Sequence, residues 1–356
     1  MVVVIVVLAL LVAGFVAFWP NSTNFGMWER GVVGASSAQT ALTNSSATSP
    51  LSVSVSTIQG PALAPLIQNG SADVSYPPSY SVLAGYALNV INQDRRDFGL
   101  ATVSLSLISS AQQHADSMMY YGYFSHIDTQ GYKPYMRYTL LGGVGAMEEN
   151  IAFISWHSTY YTNTGRLEKS ISGLEYSMMY NDSACCNNGH RDNILNPLHN
   201  RISIGIAYND SALYFVEDFE SYYVDLNVSL SGYGVSMNGT PVAPTVTSSV
   251  MAVFYDPVPI PENASSLNSG PRDYDPGTLV GAVFPPCTIL CPYSQAGVTV
   301  YASGWRYTAS QVDISFNLAQ FVNRYGAGVF TLYLLTGDIA NSTTASAITS
   351  ISVFEG

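Results

Sequence analysis

The fold of the middle of the chain is decided by the segment Leu107-Ile-Ser-Ser-Ala-Gln-Gln-His-Ala-Asp-Ser-Met-Met-Tyr-Tyr-Gly-Tyr-Phe-Ser-His126. Its apolar residues recur at steps of three and four, as on one face of an α-helix, at Leu107, Ala111, Ala115 and Met118. His114 lies on the same face, where a histidine is more often packed in a core than used as a ligand. The pattern predicts a helix over residues 107–122 that buries this face together with His114.

A β-hairpin is predicted further along the chain. From Ile202 to Tyr208 large apolar residues alternate with small ones, which is the period of a strand with one buried face. Asn209-Asp210 supplies a turn, and Leu213-Tyr-Phe-Val216 supplies the returning strand. Residues 81–226 are therefore predicted to fold as amphipathic helices followed by antiparallel strands.

Three groups of motifs stand in order within this unit. They are Asn92-Gln-Asp-Arg-Arg-Asp-Phe-Gly-Leu100 with Ala111-Gln-Gln-His-Ala-Asp-Ser-Met118 and Gly122-Tyr-Phe-Ser-His126, then Glu149-Asn-Ile-Ala152, then Gly189-His-Arg-Asp-Asn-Ile-Leu195 with Ile204-Gly-Ile206. Together they resemble the CAP superfamily, also called the SCP or cysteine-rich secretory, antigen 5 and pathogenesis-related family. The resemblance implies an α+β fold, a three-layer α-β-α sandwich, for residues 81–226.

The resemblance also implies a cleft that gathers two histidines and two acids. It places three of these groups at His126, Glu149 and His190. The family has a Trp-x-x-Glu pattern on the helix before the Gly-His-Arg segment, and here Met179-Tyr-Asn-Asp182 stands in its place. Asp182 is therefore the candidate for the fourth group, and Glu175 is the alternative one or two turns earlier.

Two imidazoles with two carboxylates are a mixed nitrogen and oxygen ligand set that suits Zn²⁺ or a similar divalent ion. We therefore predict a metal site formed by His126, Glu149, Asp182 and His190. The alternative is that the four groups hydrogen-bond one another and join helix to sheet without a metal.

Two classes of function follow from this cleft. In the first, the CAP-like unit is a non-catalytic surface module that binds a small ligand, lipid, peptide or component of the cell envelope. In the second, it is a metal-assisted hydrolase in which His126 and His190 hold the ion and Glu149 activates a water as general base. The two classes differ in whether a cleft acid is free to act as a base. No zinc-protease, serine-hydrolase, phosphate-loop or EF-hand motif offers another catalytic centre.

Composition argues against one class of partner. The net charge is −12, and the chain contains only 12 lysines and arginines among its 356 residues. Such a chain has no basic surface to attract a phosphate backbone, so nucleic-acid binding is disfavoured.

The N-terminal region predicts a location outside the cytoplasm. Residues 1–19 form an uncharged apolar run, long enough as a helix to cross a bilayer. We interpret it as a membrane anchor, with a cleaved signal segment and a secreted protein as the alternative. A Ser/Thr/Pro-rich linker follows at residues 20–80. Nine Asn-x-Ser/Thr glycosylation acceptors agree with a displayed glycoprotein, at Asn21, Asn44, Asn69, Asn181, Asn209, Asn227, Asn238, Asn263 and Asn341.

The C-terminal region is predicted to be a second domain. Gly-, Ser- and Thr-rich residues 227–248 suggest a linker, and residues 249–356 carry six or more alternating apolar runs that favour a β-sandwich. The four cysteines are Cys185, Cys186, Cys287 and Cys291. Outside the cytoplasm they are expected to be oxidised, with both local and interdomain pairings open.

Overall fold

The computed structural model describes residues 79–156, 164–242, 247–294, 296–336 and 346–355. The predicted anchor and the linker that follows it lie outside these residues, apart from the last two linker positions. No helix of the described residues is long and apolar enough to span a membrane.

The central unit consists of helices and one four-stranded sheet. The helices are α1 (Tyr80–Asp97), α2 (Ser110–Tyr121), α3 (Pro134–Leu140), α4 (Thr164–Tyr180), α5 (Ser183–Cys186) and α6 (Gly189–Ile194). The strands are β1 (Ser104–Leu105), β2 (Ala146–Ser155), β3 (Arg201–Tyr208) and β4 (Ala212–Ser221). Their order in the sheet is β1-β3-β4-β2, with β1 parallel to β3 and the other pairs antiparallel. The predicted hairpin is confirmed by β3 and β4.

Helices cover both faces of this sheet, which confirms a three-layer α-β-α arrangement. Helices α1 and α4 bury their apolar residues against one face, and α2 packs on the other. Helix α2 lies close to the sheet because Gly205 of β3 has no side chain: a Cβ there would be 2.1 Å from the carbonyl oxygen of Ala111. The helix ends at Gly122, which adopts a left-handed conformation with φ 72°.

Two polar residues of the first motif hold the helical layer in place. The side chain of Asn92 donates to the carbonyl oxygen of Val103 and accepts from its N–H, at 2.9 and 2.8 Å. Arg95 is fully buried and donates to four backbone carbonyls, those of Ala101, Ile194, Asn196 and His199. These motif residues are structural, because they satisfy backbone groups where α1 meets the irregular segments around it.

The C-terminal unit is a β-sandwich, as predicted. Its strands are β5 (Val224–Ser231), β6 (Gly234–Pro241), β7 (Ser248–Asp256), β8 (Thr278–Phe284), β9 (Val298–Tyr301), β10 (Gly304–Tyr307), β11 (Val312–Asn317), β12 (Gly328–Thr336), β13 (Ser346–Ala347) and β14 (Ile351–Glu355). One sheet has the order β10-β11-β6-β5, and the other has the order β13-β12-β7-β8-β9 with β14 also paired to β12. Two short helices, α7 (Ala264–Ser269) and α8 (Ala319–Tyr325), complete the unit, and the largest apolar core lies between its two sheets.

The predicted linker at residues 227–248 is wrong. Most of these residues form β5 and β6, a hairpin that supplies half of the first sheet of the sandwich. Val224 and Met237 of this hairpin are fully buried in the sandwich core. The central unit and the sandwich are thus joined by Tyr222 and Tyr223 alone, between β4 and β5.

The two units also share a packed interface. From the central unit, Tyr135, Met136 and Tyr138 of α3 and Met147 of β2 form an apolar cluster. Val329 of β12 joins this cluster from the C-terminal unit. Around this cluster the ammonium group of Lys133 lies 2.7 Å from Asp256 and 2.6 Å from Asp275. The chain therefore folds with its two units in direct contact.

Both disulfides are local. Cys185 pairs with its neighbour Cys186, and Cys287 pairs with Cys291. The interdomain pairing that the sequence left open does not occur, so the contact between the units is non-covalent.

Candidate functional site

A buried cluster of charged groups surrounds Glu149. This residue lies on β2 and is almost completely buried. Its Oε1 atom is 2.9 Å from Nδ1 of His126, which follows α2 in the chain. Its Oε2 atom is 2.8 Å from Nδ1 of His114 on α2 and 2.8 Å from Nη2 of Arg137 on α3. Both oxygens of Glu149 are therefore occupied.

Arg137 supplies the permanent positive charge of this cluster. Complete burial would by itself raise the pKa of Glu149, but His114, Arg137 and hydrogen bonds from both histidines hold it well below its ordinary value. Burial and the adjacent Arg137 lower the pKa of His114. The Nε2 atom of His114 is buried without a hydrogen-bond partner among the described residues, as fits a neutral ring. Glu149 is thus ionised, and Arg137 is its counter-ion.

The C-terminal unit contributes a tyrosine to this cluster. Tyr274, in the connection between β7 and β8, accepts a hydrogen bond through its hydroxyl oxygen from the N–H of Glu149 at 2.9 Å. Its ring centroid is 4.9 Å from that of His126. Part of the cluster is thus covered by the β-sandwich domain.

A second polar pair joins Asp182 and His190. The Oδ1 atom of Asp182 lies 2.6 Å from Nδ1 of His190. Its Oδ2 atom accepts from the backbone N–H groups of His190 at 2.8 Å and Arg191 at 3.3 Å. Asp182 therefore fixes both the start of α6 and the orientation of the His190 ring.

The disulfide between Cys185 and Cys186 lies beside this pair. Among the described residues, one group of His, Cys, Asp or Glu has its possible ligand atoms all within 4.8 Å of one another: Asp182, Cys185, Cys186 and His190. His126 and Glu149 are not part of it. The structure thus places the four predicted site residues in two pairs, His126 with Glu149 and Asp182 with His190.

Glu175, the alternative fourth acid, occupies a different environment. It is fully buried on α4 beside Glu217 of β4, and burial, followed by the charge of Glu217, raises its pKa well above the ordinary value. It contacts an acid and not a histidine of the cleft.

Sequence reasoning missed Arg137 and Tyr274. Arg137 lies on a short helix outside the motif segments, and no pattern in sequence connects it with Glu149. Tyr274 belongs to the other domain, at a distance of 125 residues from Glu149. For the cysteines there was a signal, because Cys186 lies only four residues before His190 in the sequence. The prediction that His114 is buried in the core agrees with the structure, but its contacts with Glu149 and Arg137 were not foreseen.

The arrangement matches a known family model. Residues 88–219 match CAP, the cysteine-rich secretory protein family. This part of the chain is a CAP domain. The match confirms the resemblance seen in the motifs and covers the layers and both polar pairs described above.

Two solved structures are similar to the CAP domain. The first is an extracellular protein containing an SCP domain from Bacillus anthracis str. Ames, with 18% identity, coverage of 41% of this chain and 45% of that one, and a TM-score of 0.28. The second is the CAP domain of Enterococcal PrgA, with 15% identity, coverage of 38% and 58%, and a TM-score of 0.28. This chain spans about half of the length of these two structures. No curated protein matches it.

Proposed function

We propose that this CAP-domain protein is a binding module that works outside the cytoplasm and that its cleft is not a hydrolase centre. The observation that carries the proposal is that both acids of the predicted cleft are already engaged. Glu149 is held by two histidines and an arginine, and Asp182 is held by His190 and two backbone N–H groups.

The state of Glu149 argues against hydrolysis. A general base needs a pKa near the working pH and access to the water that it activates. Glu149 has a pKa well below its ordinary value and a fully buried side chain with both oxygens bonded. Its carboxylate has a low affinity for a proton and no exposed oxygen that could contact a water. The metal-assisted hydrolase of the alternative function would therefore lack its general base.

The histidines fit a divalent metal in a particular way. Each of His126 and His190 is bonded through Nδ1 to a carboxylate, and among the described residues neither Nε2 atom has a hydrogen-bond partner. A carboxylate at the second ring nitrogen is the usual support of a histidine that binds metal. We therefore assign Nε2 of His126 and of His190 as ligand atoms for Zn²⁺ or a similar ion, with Glu149 and Asp182 as orienting partners. A bound ion would offer a Lewis-acid position to an oxygen or nitrogen donor of the ligand.

Two features support a location outside the cytoplasm. All four cysteines are in disulfides, which persist in oxidising compartments. The five glycosylation acceptors within the described residues are all exposed: Asn181, Asn209, Asn227, Asn238 and Asn263. With residues 1–19 as an anchor, the protein would display its CAP domain to envelope components, small ligands, lipids or peptides.

Two measurements on the oxidised protein test the proposal. Calorimetric titration with Zn²⁺ should show binding by the wild type, and loss of it in the double variant H126A/H190A with the fold retained by circular dichroism. Binding should weaken on acidification because protons compete for imidazole. A peptide and glycan library should remain uncleaved. Turnover by the wild type that is lost in E149Q would overturn the binding assignment, and absence of zinc heat in the wild type would remove the metal.

A further inference from the structure

The segment 182–190 places four metal-binding side chains within nine residues. The spacing is Asp182-x-x-Cys185-Cys186-x-x-x-His190, and short separations of this kind are typical of zinc ligands. The possible ligand atoms of the four residues lie within 4.8 Å of one another. Two thiolates, one imidazole and one carboxylate would complete the four-coordinate set that zinc prefers.

The oxidised state cannot use this set, because a disulfide has no thiolate to offer. The thiolate is the form of cysteine that binds metal. Cys185 is exposed and Cys186 is half-buried, so a small reductant can reach the bond. Sγ of Cys185 lies 3.5 Å from Oδ1 of Asp182, close to the carboxylate even before reduction.

Asp182 and His190 do not depend on the cysteines for their positions. The carboxylate of Asp182 bonds both the ring and the backbone N–H of His190, so these two ligands are fixed relative to one another in the oxidised protein. Reduction would add two sulfur ligands to a pair that is already ordered. Little reorganisation is then needed to complete a site.

We infer that Asp182, Cys185, Cys186 and His190 form a redox-gated site for a thiophilic divalent metal such as Zn²⁺. While the disulfide is intact the site has no thiolate ligands, and reduction supplies them. The site goes beyond the cleft proposed above, because it uses both cysteines and does not involve His126. In an oxidising exterior it stays closed, so metal uptake would report contact with a reducing environment.

The redox step balances with an external dithiol as reductant. The dithiol passes two electrons and two protons to the Cys185–Cys186 bond, which becomes two thiols, while the reductant becomes a disulfide. Binding of the metal then releases both thiol protons to water. A disulfide oxidant reverses the sequence by removing two electrons from the thiolates and releasing the metal.

Cys287 and Cys291 provide a matched control. They form the other disulfide of the chain, but no His, Asp or Glu of the described residues joins them in a comparable group. The variant C287S/C291S therefore leaves only the proposed site to be reduced, and C185S/C186S leaves only the control pair.

The test uses Co²⁺ as a spectroscopic substitute for Zn²⁺. C287S/C291S is reduced with dithiothreitol, freed of it by gel filtration without oxygen, checked for two free thiols and titrated with Co²⁺. We expect one Co²⁺ per chain, with sulfur-to-cobalt charge-transfer absorption and the visible bands of tetrahedral cobalt. The oxidised protein and reduced C185S/C186S should show no sulfur-to-cobalt charge-transfer band. D182N should weaken binding by about 10–100-fold, as loss of a ligand or its supporting carboxylate does.

Two outcomes would overturn the site. One is reduced protein with two counted thiols and no charge-transfer band. The other is an equally strong band in reduced C185S/C186S, which would assign the sulfur to the control pair. H126A should bind Co²⁺ normally in this assay, so failure of the zinc cleft proposed above would leave the result unchanged.

Discussion

Two buried carboxylate clusters lie on opposite faces of the central sheet and differ in one respect. Neighbouring residues of a strand point to opposite faces, so Glu149 faces α2 while Asn150 faces α4. On the first face Glu149 has Arg137 as counter-ion. On the second face Asn150 donates to Glu217, whose neighbour Glu175 is also an acid, and no basic group is hydrogen-bonded to this described pair.

The presence or absence of a counter-ion shifts the pKa values of these equally buried glutamates in opposite directions. Arg137 and the histidines hold the pKa of Glu149 well below its ordinary value against the effect of burial. Burial raises the pKa of both Glu175 and Glu217, and for Glu175 the charge of Glu217 adds to it. The opposite pKa shifts of Glu149 and Glu175 therefore follow from the groups beside them, because burial alone would raise the pKa of both.

The largest expected effect is from removal of the counter-ion. R137M should lower the free energy of unfolding by about 3–5 kcal/mol, because it leaves the Glu149 carboxylate buried without its partner. Urea denaturation measures the loss. The exposed Arg306 offers a control in R306M. Equal stabilities of R137M and R306M would show that Arg137 is not the counter-ion that keeps Glu149 ionised.

The same Glu→Gln substitution on each face of the sheet compares the two clusters directly. E149Q should cost about 3 kcal/mol, since it leaves Arg137 buried without an anion. E175Q should cost less than about 1 kcal/mol at neutral pH, because the amide replaces a carboxyl that already carries a proton. Similar losses in the two variants would contradict opposite protonation states.

The pH dependence of stability should separate the clusters further. The pKa of Glu175 is raised on folding, so its contribution is complete below its unfolded value of about 4.5 and is lost as pH rises toward the folded value. The contribution of Glu149, whose pKa is lowered, is present above that value and is lost as pH falls below it. Between pH 5 and 8 the Tm of the wild type should fall more than that of E175Q, by about 2–4 °C for each kcal/mol. Parallel curves would contradict the raised pKa of Glu175.

A modest loss of stability is expected from removal of the Tyr274 hydroxyl, which contacts only the Glu149 cluster. Y274F removes the hydroxyl that accepts from Glu149 and should cost about 0.5–1.5 kcal/mol. Combined with E175Q, the losses should add, because the two sites lie on opposite faces without shared partners. Strong non-additivity would mean that the faces are coupled through β2.

Local periodicity predicted helix α2 and the β3–β4 hairpin of the CAP domain, whereas the three-layer arrangement was predicted from the family resemblance. It misplaced the start of α2: Leu107 fits the apolar stripe but is 96% exposed, and the helix begins at Ser110. The error at residues 227–248 came from composition. Gly and Ser suggested a linker, although the alternation of Val224, Leu226 and Val228 already had the period of a strand.

The candidate site was predictable in part. The motifs indicated His126, Glu149, Asp182 and His190, and the structure places them in two acid–histidine pairs. The partners of these pairs could not be read from one sequence. Contacts such as that of Glu149 with Arg137 depend on how α3 packs against β2, which no local pattern encodes. The joint burial of Glu175 and Glu217 likewise requires the packing of α4 on β4.

The hydroxyl of Tyr274 and the hydroxyl of Ser350 have a consequence for the order of folding. Ser350 donates to the carbonyl oxygen of Gly145 across 205 residues, and Tyr274 completes the hydrogen bonding of Glu149 across 125. During synthesis the CAP domain emerges first, before either partner exists. Until the C-terminal unit has been synthesised, the carbonyl oxygen of Gly145 and the N–H of Glu149 must form their hydrogen bonds with water or with a chaperone. A chain that stops before residue 274 would thus lack the hydroxyl that accepts from the N–H of Glu149.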